Sequence, residues 1–154
     1  MIYLDRMENL MSQYTYLTFR FEKEMPRALP GLIVGDFVLI NPNRSKTKQY
    51  ETLIEEIGHY EKSVGNISDY SDPDSKKQES EARRWAYTHA VTLDELIYCY
   101  EHHLHTIDDI TEHLEISAEY LNAALEVYRQ KHGEQFYYHH YHFDLRSGLN
   151  IDKL

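Results

Sequence analysis

With a single cysteine, Cys99, the chain can form no internal disulfide. It also lacks an N-terminal stretch combining a basic start, an apolar run and a small-residue cleavage site, so a cytoplasmic protein is expected. Long hydrophobic runs are missing as well. Stretches such as Leu32 to Val34 and Phe37 to Ile40 fall far short of the ~20 residues a bilayer span needs, and no membrane association is expected. Positive charge is scarce: 16 lysines and arginines stand against 26 acids, a formal net charge of -10. A field of that sign repels phosphate backbones and anionic lipid, which argues against direct nucleic-acid binding. No internal repeat or low-complexity tract is present. At 154 residues the chain is long enough for one domain with a real core and no staples.

What the chain has in excess is histidine (10) and tyrosine (14). Histidine richness raises the expectation of metal binding or pH sensitivity only modestly. The His139-His140-Tyr141-His142 cluster is interrupted by tyrosine and flanked by strand-like residues, so it belongs to the fold.

In chain order, residues 5 to 14 read as a short helix with Leu10 and Met11 turned inward. Tyr14 to Glu22 reads as a strand with Phe19 and Phe21 on one face. Gly31 to Ile40 reads as two short strands about a Gly35-Asp36 turn, closed by Asn41-Pro42-Asn43. A long helix follows from about Ser45 to Ser63, with Tyr50, Leu53, Ile54, Ile57, Tyr60 and Val64 on one stripe. Gly65-Asn66 is a helix stop, Ser68 to Ser75 an exposed loop, and Ser75-Lys76-Lys77-Gln78 has the form of a capping box. The helix it opens carries Glu79, Ala82, Ala86 and Ala90 along one stripe, flanked by Trp85 and His89. Thr92, Thr106 and Ser117 open three further helices, the last ending at Gly133. The segment from Ile107 to Tyr128 has helix-turn-helix spacing, yet its outward positions, Asp108, Asp109, Glu112, Glu115 and Glu119, are acids unsuited to DNA readout. Gln135 to Leu145 suits a late strand, and Arg146 to Leu154 reads as a poorly ordered or partner-bound tail. The expected fold class is α+β: a helical domain with a small N-terminal β-sheet and a C-terminal three-helix, helix-turn-helix-like segment. It is one domain over 1–154, with its core at about 30–133 and a C-terminal tail at 134–154.

The chemistry concentrates in Leu53-Ile54-Glu55-Glu56-Ile57-Gly58-His59-Tyr60. Residues four apart on a helix share a face, so Glu55 and His59 point the same way, with Glu56 one step round. In H-E-x-x-H metallopeptidases the flanking residues of such a string hold zinc and the acid between them activates water. Here a glutamate stands where the first histidine would be. Glu101/His105 and Asp109/His113 repeat the i, i+4 spacing, so spacing alone does not select a metal site, and a solvated helix face is the plain alternative. Glu79 lies on a packing stripe and needs a partner, because burying an unpaired carboxylate costs several kcal/mol. A metal would serve.

Taken together, Ile54-Glu55-Glu56-Ile57-Gly58-His59-Tyr60, Gly65-Asn66-Ile67 and Glu79-x-x-Ala82-x-x-Trp85-Ala86 resemble the ImmA/IrrE-type metallopeptidases of mobile elements and bacterial stress responses, over residues 30 to 133. The resemblance implies a zincin-like domain that cleaves, or triggers loss of, a repressor protein. It implies Glu56 as the general base toward metal-bound water, and His59, Glu79 and Glu55 as metal ligands, Glu55 in the first-histidine position. The implied cofactor is Zn2+. Two anionic ligands make bound water less acidic than a two-histidine site does, and an oxygen-rich shell also admits Mn2+ or Fe2+. Two functions follow: a metal-dependent endopeptidase of a prophage or mobile element acting on a transcriptional repressor, or a catalytically inactive descendant that binds a repressor or other regulatory protein without cutting it. A purely structural helical module is a third reading.

The remaining features have milder readings. His89, His139, His140 and His142 are surface or packing histidines unless one completes the metal shell. Gly58 lets a strand or helix approach closely, or is only a glycine tolerated near a helix end. Tyr137, Tyr138 and Tyr141 are core residues or a partner surface, and Cys99 is a small buried residue.

Overall fold

The computed structural model describes residues 5–62 and 73–154. Among the described residues six helices and six strands occur in the order α1 (Arg6–Ser12), β1 (Thr18–Phe21), β2 (Gly31–Val34), β3 (Phe37–Ile40), α2 (Lys46–Lys62), α3 (Pro73–Ala90), α4 (Leu93–Glu101), α5 (Ile107–Leu114), α6 (Ala118–His132), β4 (Gln135–Tyr138), β5 (Tyr141–Asp144) and β6 (Asn150–Lys153). The class is α+β, as the patterning predicts. The expected helix stop at Gly65-Asn66, the Ile67 that follows it, the stripe position Val64 and the start of the loop at Ser68 lie outside the described residues. The chain divides into two compact units, one up to Ala86 and one from Tyr87 onward.

In the first unit a hairpin turns at Gly35-Asp36. Gly35 sits at φ +58, where a side chain would be strained, and Val34 pairs with Phe37 across the turn. β3 is the middle strand, antiparallel to β2 and parallel to β1, giving the order β1-β3-β2. Alternation sends Val38 and Ile40 inward, fully buried, while Phe37, Leu32 and Val34 remain exposed. α2 packs beneath this sheet, against β2 and β3, and burial of Leu53, Ile54 and Ile57 fastens it, at ~1.5–3 kcal/mol for each large apolar side chain. Its start is fixed locally. The Ser45 hydroxyl accepts the Lys48 amide at 3.1 Å, and the buried Gln49 side chain donates to the Arg44 carbonyl at 2.7 Å.

Three details differ from expectation. In α1 the buried residue is Met7, with Leu10 and Met11 only half-buried. Tyr60, placed on the inward stripe, is 37% exposed and packs against the ring of Tyr16. α3 begins at Pro73 rather than after a cap at Ser75, because proline's fixed φ and missing N–H suit the first turn of a helix.

In the second unit each expected cap is present. The hydroxyls of Thr92, Thr106 and Ser117 accept the amides of Glu95, Asp109 and Tyr120. Leu96, Leu114, Leu121, Leu125, Phe143 and Leu145 form its core, and the Tyr128 hydroxyl donates to the Val91 carbonyl at 2.7 Å. Asp108, Asp109, Glu112, Glu115 and Glu119 are all exposed. Cys99 is buried. The late strand expected over Gln135 to Leu145 is a pair of strands, and Arg146 to Leu154, expected to be a tail, adds a third, giving an antiparallel sheet ordered β4-β5-β6. Gly148, at φ +112, lies in the turn that returns the chain so that Ile151 pairs with Phe143. β6 holds one apolar residue among Asn150, Asp152 and Lys153, so its place depends on backbone pairing that composition does not register.

Candidate active site

α2 reaches its functional residues nearly enclosed. The sheet covers one side, and α3 meets the other where Gly58 faces Ala82. Glu55, Glu56 and His59 are therefore half-buried rather than on the water-facing side expected of an amphipathic helix. β2 closes over Glu56: a Cβ added to Gly31 would stand 3.6 Å from Glu56 Cγ and only 2.5 Å from Thr52 Cγ2.

His59 and Glu79 come together. His59 Nε2 lies 3.2 Å from Glu79 Oε2, and Arg83 Nε, one turn along α3, lies 3.5 Å from Glu79 Oε1. Glu79 Oε2 is fully buried and accepts no well-aligned hydrogen bond among the described residues, so its approach to His59 is one of distance without hydrogen-bond geometry. A buried carboxylate oxygen left in this state costs free energy unless something else binds it.

The neighbouring acids raise the local negative charge. Burial, then the carboxylates of Glu55 and Glu79, push the Glu56 carboxyl up to about 7. Burial also raises Glu55, with Lys48 and Arg83 acting against it and Glu51 and Glu79 adding to it. Three carboxyl groups and one imidazole thus share a half-buried region that a cation would stabilise.

The arrangement fits a divalent ion in part. Two donors each about 2.0–2.1 Å from one tetrahedral zinc stand roughly 3.3 Å apart, so the 3.2 Å between His59 Nε2 and Glu79 Oε2 is a ligand-to-ligand spacing. Imidazole nitrogen and carboxylate oxygen are both suitable donors. Among the described residues, however, no group of three or more histidine, cysteine, aspartate or glutamate side chains is placed to hold an ion. The structure brings two of the three expected ligands together and leaves Glu55 outside that pair.

The peptidase family model described as the IrrE N-terminal-like domain matches residues 7–126. The chain belongs to that family. No curated protein and no solved structure matches it. The IrrE N-terminal-like match starts ahead of the 30–133 span that the motifs suggest, taking in α1 and the first sheet, and it ends within α6. As a member of a metallopeptidase family, the chain has its Glu55-Glu56-x-x-His59 string on α2 and Glu79 on α3, two helices of the matched region.

Other residues around the site were legible only in part. Arg83 is four residues from Glu79, a spacing that announces a helical ion pair. Lys48 and Glu51 precede Glu55 by seven and four residues on the same helix face. His89, His139 and His140 are exposed, and half-buried His142 packs on Tyr137. No helix among the described residues is long and apolar enough to cross a membrane.

Proposed function

We propose that this chain is a metal-dependent endopeptidase of a prophage or mobile element, with a transcriptional repressor as its substrate. The observation that carries the reading is the 3.2 Å approach of His59 Nε2 to a buried, otherwise unsatisfied Glu79 oxygen, with Glu56 beside it. The repressor as substrate rests on the likeness to ImmA/IrrE-type metallopeptidases. His59 and Glu79 would hold the ion, with Glu55 as the third donor after a change of side-chain rotamer. A divalent ion bound there would supply Lewis acidity toward a peptide carbonyl and toward water. Glu56 is the proton acceptor for the attacking water, and burial suits a carboxyl to that role by bringing its pKa near neutrality. Arg83 orients the Glu79 carboxylate from its other oxygen.

The test pairs metal analysis with a single substitution. After incubation with Zn2+ or Mn2+ and desalting, the protein is expected to retain about one equivalent of metal and to cleave its repressor. Glu56→Gln should keep the metal and lose on the order of 10²–10⁴-fold in cleavage rate. Absence of stoichiometric metal under these conditions removes the reading.

A second reading is a descendant that binds a repressor without cutting it. Two observations favour it: glutamate stands in the first-ligand position, and no three-donor group is formed among the described residues. Derepression of a repressor-controlled reporter that persists unchanged in Glu56→Gln would select this reading over the first.

A further inference from the structure

We infer that Gly58 is the positioning residue of the site: by lacking a side chain it lets the backbones of α2 and α3 meet, and this meeting sets the separation of His59 from Glu79. A Cβ built on Gly58 would lie 2.5 Å from the Ala82 carbonyl oxygen, 3.3 Å from its carbonyl carbon and 3.3 Å from Trp85 Cε3. The nearest obstacle is main chain, which has no rotamer to change, so a side chain here is relieved only by moving one helix from the other. Reaching even 3.0 Å, the shortest distance that real Cβ contacts show, takes 0.5 Å of movement from 2.5 Å.

The consequence falls on the site because of where the contact lies. Gly58 is the residue before His59, and Ala82 is three residues, about one turn, after Glu79. A displacement at Gly58 is passed to the 3.2 Å gap with little chain between to absorb it. Metal ligands tolerate departures of about 0.2 Å, less than half of the smallest shift that would relieve the clash. Ala82 and Ala86, both fully buried, allow the approach along α3, but a small residue on α3 does not replace the missing side chain on α2.

The part of this inference that concerns metal rests on the proposed function, whereas the His59–Glu79 spacing exists without metal, and the experiment separates the two. In chelator, urea unfolding of the full chain with His59→Ala, Glu79→Ala and the double variant measures the coupling between these side chains, first with Gly58 and then in a Gly58→Ala background. A coupling present with Gly58 and lost with alanine is the expected result. Co2+ titration is expected to show at least tenfold weaker binding by Gly58→Ala. Leu125→Ala, which creates a cavity in the second unit, should leave both readouts unchanged although it lowers stability, so a general loss of stability does not imitate the effect. Coupling and Co2+ affinity that survive Gly58→Ala overturn the inference. If the unmutated chain binds no Co2+, the metal reading falls and the coupling alone judges Gly58. Should Gly58→Ala fail to fold, nuclear Overhauser contacts from the Gly58 α-protons to Ala82 and the Trp85 ring in the unmutated chain test the approach, and their absence overturns it.

Discussion

At Glu56 the carboxyl keeps its proton to about pH 7 in the folded, metal-free chain, whereas an unfolded glutamate releases it near 4.5. Between these values the folded state holds a proton that the unfolded state has lost. Stability must therefore fall as pH rises from about 4.5 to 7 and level off above. Glu55, raised mainly by burial, contributes in the same direction. Glu56→Gln removes the larger part of this effect. It is expected to be more stable than the unmutated chain at pH 8 by on the order of 2–3 kcal/mol and nearly equal to it at pH 4. Urea midpoints in chelator at the two pH values measure the difference, and a gap of the same size at both would contradict the assignment of Glu56 as the buried acid. At this scale a carboxyl that opposes folding is intelligible only if it serves something else, such as accepting a proton or facing a cation.

Helix ends are where single elements are most readily altered. Glu115 closes α5 in the left-handed conformation, at φ 57, with its amide reaching back to the Glu112 carbonyl and the Ile116 amide reaching the Thr111 carbonyl. Glycine is the residue of least strain there, and an acid is poorly placed at a helix C-terminus. Glu115→Gly should raise stability by roughly 0.5–1 kcal/mol, read as a higher urea midpoint at unchanged slope. Loss of a cap acts oppositely: Thr92→Ala removes the hydroxyl that accepts the Glu95 amide at 3.0 Å and should cost about 1 kcal/mol. A neutral result for both would mean that tertiary packing alone holds α4 and α5. These caps were readable because a cap is a contact between residues three apart. The start of α3 differs from the capping-box expectation because Pro73 and Ser75 are competing start signals and the proline comes first.

For the molecule as a whole, the matched family region ends at residue 126, yet 135–153 forms a sheet that the second unit depends on. Phe143 and Leu145 are 0% and 1% exposed, and the Leu145 carbonyl accepts from Arg129 Nε at 2.7 Å. Ending the chain at Gly133 should therefore remove about 3–6 kcal/mol of apolar burial, a large share of the ~5–15 kcal/mol typical of a domain. Loss of cooperative unfolding by circular dichroism is the expected sign, and an unchanged urea midpoint would contradict it. Net charge gives a second prediction at this scale. With a formal charge of -10 and exposed acids at Asp108, Asp109, Glu112, Glu115 and Glu119, duplex DNA should not be retained even at ~50 mM salt. Fluorescence anisotropy with labelled duplex checks this, and binding that weakens steeply with added salt would refute it.

What the sequence determined by itself was local: the hairpin at Gly35-Asp36, the caps at Thr92, Thr106 and Ser117, the span of α2, and the placing of Glu55, Glu56 and His59 along one helix. Each depends on residues within a turn or two, where periodicity and hydrogen-bond chemistry are direct consequences of neighbouring residue types. Only the tertiary structure decided which acid meets His59, since Glu79 is twenty residues away and reaches it because Gly58 and Ala82 let two helices touch. It also decided that the Glu56 face is enclosed, and that the last residues pair as β6. Burial and long-range strand pairing are properties of the whole packed chain, carried by no residue in isolation.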